Sequence, residues 1–79
     1  MYKYLYNVYI ADDLKSEGIK ISRINYVHNT NELVVGVPTR DVDLAEAVII
    51  DTLDEQGVYA EVVDRVIDVN LTDIYLSVE

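Results

Sequence analysis

The chain contains no cysteine, no phenylalanine and no tryptophan, and has one proline, one histidine and three glycines in 79 residues. Each scarcity removes something. Without cysteine there are no disulfides, no thiolate metal sites and no thiol nucleophile. Stability must then come from one small core or from self-association, because a chain this short buries only about two-thirds of the surface its unfolded form exposes. The glycines are isolated, so no phosphate-cradling loop is present. No apolar stretch approaches the roughly 20 residues that a membrane-spanning helix needs. The first residues also lack the basic region, apolar run and small-residue cleavage site of a secretory signal, so a cytoplasmic location is expected.

Basic residues are scarce too, and unevenly placed. Residues 1–40 carry Lys3, Lys15, Lys20, Arg23 and Arg40 against four acids, a balance of +1. Residues 41–79 carry Arg65 alone against eleven acids, a balance of −10, and the whole chain stands at −9. Such a surface repels nucleic acid and anionic membrane, and it attracts basic partners at long range. Direct binding to DNA or RNA is not expected. The same acidity also keeps a small protein in solution.

The strongest local pattern present is DVDLAEAVIIDTLDEQG, from Asp41 to Gly57. Asp43 followed three residues later by Glu46 reads as a capping box, with Val42 placed for a hydrophobic staple. Gly57 stands where a left-handed C-terminal cap favours a residue without Cβ. At about 100° per residue, Leu44, Ala45, Val48, Ile49 and Leu53 share one face. Asp43, Asp51, Asp54 and Glu55 occupy the other. The spacing predicts a helix.

Ahead of it, the even positions from Tyr2 to Ile10 read Tyr, Tyr, Tyr, Val, Ile, an alternation that favours a strand. Tyr2, Leu5, Tyr6, Tyr9 and Ile10 also share one helical face, so a helix stays open. Ala11 to Gly18 reads as a connection in which Asp12 or Asp13 could cap a single helical turn. Ile19 to His28 reads as a strand in which Ile24 and Tyr26 fall on the opposite parity to Ile19 and Ile21, which either a bulge near Arg23 or burial of both faces would reconcile. A turn rich in Asn then leads to a short strand, Leu33 to Val37, stopped by Pro38. Beyond Gly57, Val58 to Val69 is strand-like, with parity slipping at Val62 and Val63. Asp68 to Asp73 is a turn. Ile74, Leu76 and Val78 then alternate with Asp73, Tyr75, Ser77 and Glu79, as in a half-exposed edge strand.

Together these elements predict one α+β domain spanning residues 1–79, a mainly antiparallel sheet of 4–5 strands carrying one principal helix in two layers. The strand–strand–helix–strand order from Ile19 to Val63 resembles the later portion of ferredoxin-like domains of the heavy-metal-associated type. That family's metal-binding cysteine pair is absent here, so no metal function carries over.

Chemistry is thinly represented. His28, the only histidine, stands in a turn rich in Asn, and no Ser or Thr has a base placed beside it by the sequence. Asp41, Asp43, Asp51, Asp54 and Glu55 are close together, yet none has the spacing of a calcium loop. We expect no enzyme activity, no cofactor and no metal.

The acidic helix face is the leading candidate site. Asp43, Glu46, Asp51, Asp54 and Glu55 span about 18 Å at 1.5 Å per residue. One DNA strand places about five phosphates along that axial length. Glu61 and Asp64, with Asp68 and Asp73, would extend the row if the last strands lie beside the helix. The partner implied is a basic protein, such as a nucleic-acid-binding enzyme whose groove this protein would fill. In being short, acidic and free of cysteine, the chain resembles small phage-encoded inhibitors of host nucleases, including anti-CRISPR proteins. A second expectation comes from Tyr2, Tyr4 and Tyr6, which on an exposed strand would form an aromatic stripe for self-association. The protein would then be a structural or assembly subunit, a homodimer rather than a monomer.

Overall fold

A computed structural model describes the backbone of residues 2–27 and 29–78, and the side chains from residue 7 onward within those ranges. Helix α1 spans Tyr2–Ser16, strand β1 Arg23–Val27 and strand β2 Glu32–Pro38. A 3-10 turn, Thr39–Asp41, leads into helix α2, Val42–Glu55, followed by strands β3, Ala60–Ile67, and β4, Leu71–Val78. The four strands form one antiparallel sheet in the order β1-β2-β4-β3. Both helices lie on one face of it, so the domain has the expected two α+β layers.

Because β4 runs antiparallel to both neighbours, β2 and β3 run parallel with β4 between them. The segment β2–α2–β3 is therefore a split β-α-β unit, the element on which ferredoxin-like folds are built. Here the last strand fills the slot that the first strand takes in that fold. Alternation decides which side is buried. Leu33, Val35 and Val37 of β2 and Ile74, Leu76 and Val78 of β4 face the helices, where they meet Ile10 and Leu14 of α1 and Ala45, Ile49 and Leu53 of α2. Full burial of each Leu or Ile contributes about 1.5–3 kcal/mol.

Both helices end on the same device. After α2, Gly57 adopts φ +76°, with Gly57 N donating to Asp54 O and Val58 N to Leu53 O, each at 2.9 Å. After α1, Gly18 adopts φ +75°, with Gly18 N donating to Lys15 O and Ile19 N to Leu14 O, each at 3.0 Å. These are paired Schellman bonds, and the apolar partners that accompany them, Leu53 with Val58 and Leu14 with Ile19, all enter the core.

Several expectations are corrected. Residues 2–10 are not a strand, and residues 11–16 are not a connection: both belong to α1. Ile10 and Leu14, four apart, share the buried side of a helix, whereas a strand would have ended at the Asp pair. Ile19 belongs to the cap of α1, so β1 begins only at Arg23 and no bulge is needed there. The fifth strand disappears accordingly. The parity slip after Val62 is a true bulge, between Val62 and Asp64. The turn that follows is shorter than expected, because β4 already begins at Leu71. Nor is β4 an edge: it is central, and β3 is the edge on that side.

Gly36 has a different role. It lies in register between Arg23 and Asp73, whose side chains pair across it at 3.8 Å. A Cβ there would collide with Ser22 Oγ and approach Asp73 Oδ1 to 2.8 Å. At Gly57 a Cβ meets nothing within 4 Å, so only the positive φ opposes it. Gly57→Ala should therefore cost about 1 kcal/mol in urea unfolding. Gly36→Ala should cost more and also release the Arg23–Asp73 pair; equal losses would contradict this account of the two glycines.

Candidate functional site

Helix α2 presents Asp43, Asp51, Asp54 and Glu55 to solvent. Among the described residues none of their four carboxylates makes a hydrogen bond or an ion pair. Glu46 behaves differently. Its carboxylate accepts two bonds from Arg65 of β3, one from Nε and one from Nη2 at 2.5 Å. That fork geometry matches guanidinium to carboxylate and is stronger than a neutral bond. The Arg65 guanidinium is held above its ordinary range, first by the hydrogen bond to Glu46, then by the charge of that carboxylate. The charge of Asp43 acts in the same direction.

The expected capping box is thus absent. The cap residue is Asp41, with no side-chain cap bond, and α2 starts at Val42 rather than after Asp43. The preceding 3-10 turn delivers the chain into the helix, and Glu46 is free to reach the sheet. Asp43 sits in the first turn, where its charge favours the helix dipole.

A cleft of about 260 Å³ runs between the helices, lined by Asp13 and Ser16 of α1, Glu17 of the turn that follows it, and Val48, Asp51, Thr52 and Glu55 of α2. Four carboxylates converge on it. Thr52, only 3% exposed, lies at its base. The Thr52 hydroxyl shares its proton between Asp13 Oδ2 at 2.6 Å and Val48 O at 2.8 Å. Asp13 and Glu17 escaped the sequence reading because their segment read as a connection; their spacing of four is the signal that a helical reading supplies. Among the described residues no acidic or histidine group is gathered in a way that could hold a metal ion.

Glu61 and Asp64 do not continue the helical row. They pair in register with Ser77 and Tyr75, on the sheet face away from the helices. Asp64 Oδ1 accepts from the Arg65 backbone N–H at 2.8 Å. Asp73 is engaged with Arg23, and Asp68 lies at the turn after β3. The other six candidate acids therefore occupy two sides of the molecule, Asp43, Asp51, Asp54 and Glu55 on α2 and Glu61 and Asp64 on the far face of the sheet, with the Glu46–Arg65 pair linking α2 to β3. Tyr2, Tyr4 and Tyr6 lie on helix α1 rather than on the strand expected to carry them. Their side chains, like His28, lie outside the described residues.

A further feature has no counterpart among the expected sites. Val63, Val66, Ile67, Val69 and Leu71, all near the β3–β4 turn, are between 48% and 86% exposed. Their Val-rich and Ile-rich run reads as core in the sequence. No helix among the described residues is long and apolar enough to cross a membrane. No protein-family model matches the chain, and no curated protein is similar to it in sequence.

Thr52 gives the site a structural test. Thr52→Val keeps the shape but removes the proton shared by Asp13 and Val48, at an expected cost of about 1–3 kcal/mol in thermal or urea unfolding. A variant as stable as the parent would mean the hydroxyl does not tie the two helices together.

Proposed function

We propose that this protein is a non-enzymatic interaction module whose acidic helical surface binds a basic surface on a partner protein. The observation that carries the reading is that each of the three arginines faces an acid while four acids of α2 face no cation, Lys15 and Lys20 being likewise unpaired among the described residues. Arg65 is held by Glu46, Arg23 faces Asp73 and Arg40 faces Asp41, the last two at 3.8 Å. Asp43, Asp51, Asp54 and Glu55 stand without such partners among the described residues. Asp51 and Glu55, four apart, repel one another at a cost of a few tenths of a kcal/mol. Asp13 of α1 and Glu17 of the turn after it bring more negative charge to the same cleft. A basic surface placed over it would relieve that repulsion.

Nucleic-acid-binding enzymes carry such basic surfaces, in grooves built to neutralise phosphates. A protein that fills the groove inhibits by occupying it, and it needs no catalytic group of its own. The favoured reading is accordingly an inhibitor of this class, of the phage anti-defence or anti-CRISPR type.

The test is direct. Purified nucleic-acid-binding enzymes from the native host are titrated with the protein at about 50 mM and 500 mM salt, and their retention of labelled DNA or RNA is followed. The expected result is displacement at low salt that weakens at high salt. The variant carrying Asp51→Asn, Asp54→Asn and Glu55→Gln should keep its fold by circular dichroism and lose displacement by about tenfold or more. Undiminished displacement by that folded variant would refute the reading.

A further inference from the structure

We propose that the free edge of β3, with the exposed apolar residues beside it, docks an extended basic segment of a partner protein as a fifth strand of the sheet. This rests on the reading of a basic partner and names where, and in what form, part of that partner binds. Three observations lead to it.

First, β3 ends the sheet, and among the described residues nothing pairs with its outer side. An edge of this kind presents a row of unpaired backbone donors and acceptors. The bulge between Val62 and Asp64 blunts its first part and Asp64 Oδ1 already accepts from the Arg65 N–H, so the open backbone is the remainder of Asp64 to Ile67. A groove of about 490 Å³ is lined by Val62, Val63, Asp64, Arg65 and Ile67. Neighbouring residues of a strand point to opposite faces. A groove lined by both sets therefore follows the edge itself.

Second, of the nine exposed large apolar residues among the described ones, five lie there. Ile67 is 67% and Val69 86% exposed, and Val63, Val66 and Leu71 are about half exposed. Contiguous apolar exposure rimmed by polar groups marks interaction sites. The hairpin carrying these residues is tied down at its turn. Thr39 N donates to Asn70 O at 3.0 Å, and its hydroxyl donates to Asp68 O at 2.7 Å. The Thr72 hydroxyl, 2.9 Å from Thr39 Oγ1, completes the tie. A fixed edge loses little freedom on binding.

Third, charge selects the occupant. Glu61, Asp64 and Asp68 lie on and just beyond the edge strand. Arg65 is the only basic residue of this half of the chain, and Glu46 already holds it. The rim is therefore negative, and a strand alternating β-branched with basic residues matches both its apolar and its acidic groups. A second copy of this chain matches poorly. Twofold antiparallel pairing keeps each residue on its own face, so a register centred on Asp64 or Arg65 sets that charge against its own copy. The net charge of −9 opposes the same association.

The probe is a synthetic peptide of about ten residues alternating Val or Ile with Lys or Arg, beside a counterpart with Glu at the basic positions. Amide shifts and hydrogen exchange of the whole protein are followed by NMR. The basic peptide is expected to shift and protect amides of Asp64 to Ile67, and the acidic one to leave them unchanged. Ile67→Lys and Val66→Lys should weaken the effect by about tenfold or more. Val8→Lys makes the same change of charge at an exposed position of α1 and should leave it within about twofold. Basic peptide that shifts α2 and the interhelical cleft alone would overturn this inference and leave the acidic-surface reading standing. No shift anywhere at millimolar peptide would count against both. Protection of the edge by raised protein concentration alone would make a second copy the occupant and overturn the proposal.

Discussion

The structure depends on one placement: the last strand of the chain lies inside the sheet. β4 pairs with β2 along one side and with β3 along the other. Without it, β3 has no connection to the sheet, and the split unit around α2 has no centre. The buried alternation of Thr72, Ile74, Leu76 and Val78 follows from that position, since a central strand has its inner face fully covered by helices. Thr39 and Asn31 fasten the two ends of the strand, through Asn70 and Val78 respectively. Everything proposed about the edge of β3 follows from β4 holding it there.

Charge is distributed by the same frame. The bidentate pair between Glu46 and Arg65 links α2 to β3 and removes the only cation of the second half from the surface field. Exposed pairs of this kind add little stability. Its larger consequence is electrostatic, because the acids on either side of it are left uncompensated. Glu46 thus supports the acidic surface by holding Arg65 instead of by meeting a partner itself.

Legibility in the sequence followed the strength of each local signal. Helix α2, its Gly57 terminus, the β1–β2 hairpin with its Asn turn and the bulge after Val62 were all readable, because each rests on a period or on one turn residue. Asn31 adopts φ 53°, as its residue type suggests. The start of the chain was not readable as one element. Its tyrosines satisfy a period of two and nearly satisfy a helical one, and the deciding burial of Ile10 and Leu14 comes from α2, far along the chain. The capping box failed because the same Glu46 has a better partner across space in Arg65. The position of β4 was hidden for a similar reason: alternation shows that one face is buried, and says nothing about whether both edges are paired. The acidic row on α2 was legible; its continuation was not, since Glu61 and Asp64 need the sheet order to place them on the far face.

Native-state hydrogen exchange of the free protein, residue by residue along β3 and β4, tests the central claim most directly. A central strand has its amides bonded on both sides, whereas an edge strand has every second amide facing solvent. The account predicts slow exchange throughout Thr72 to Val78 and alternating slow and fast exchange from Asp64 to Ile67. Alternation in β4 together with uniform protection in β3 would contradict it, because β4 would then be the edge and the docking surface would not exist.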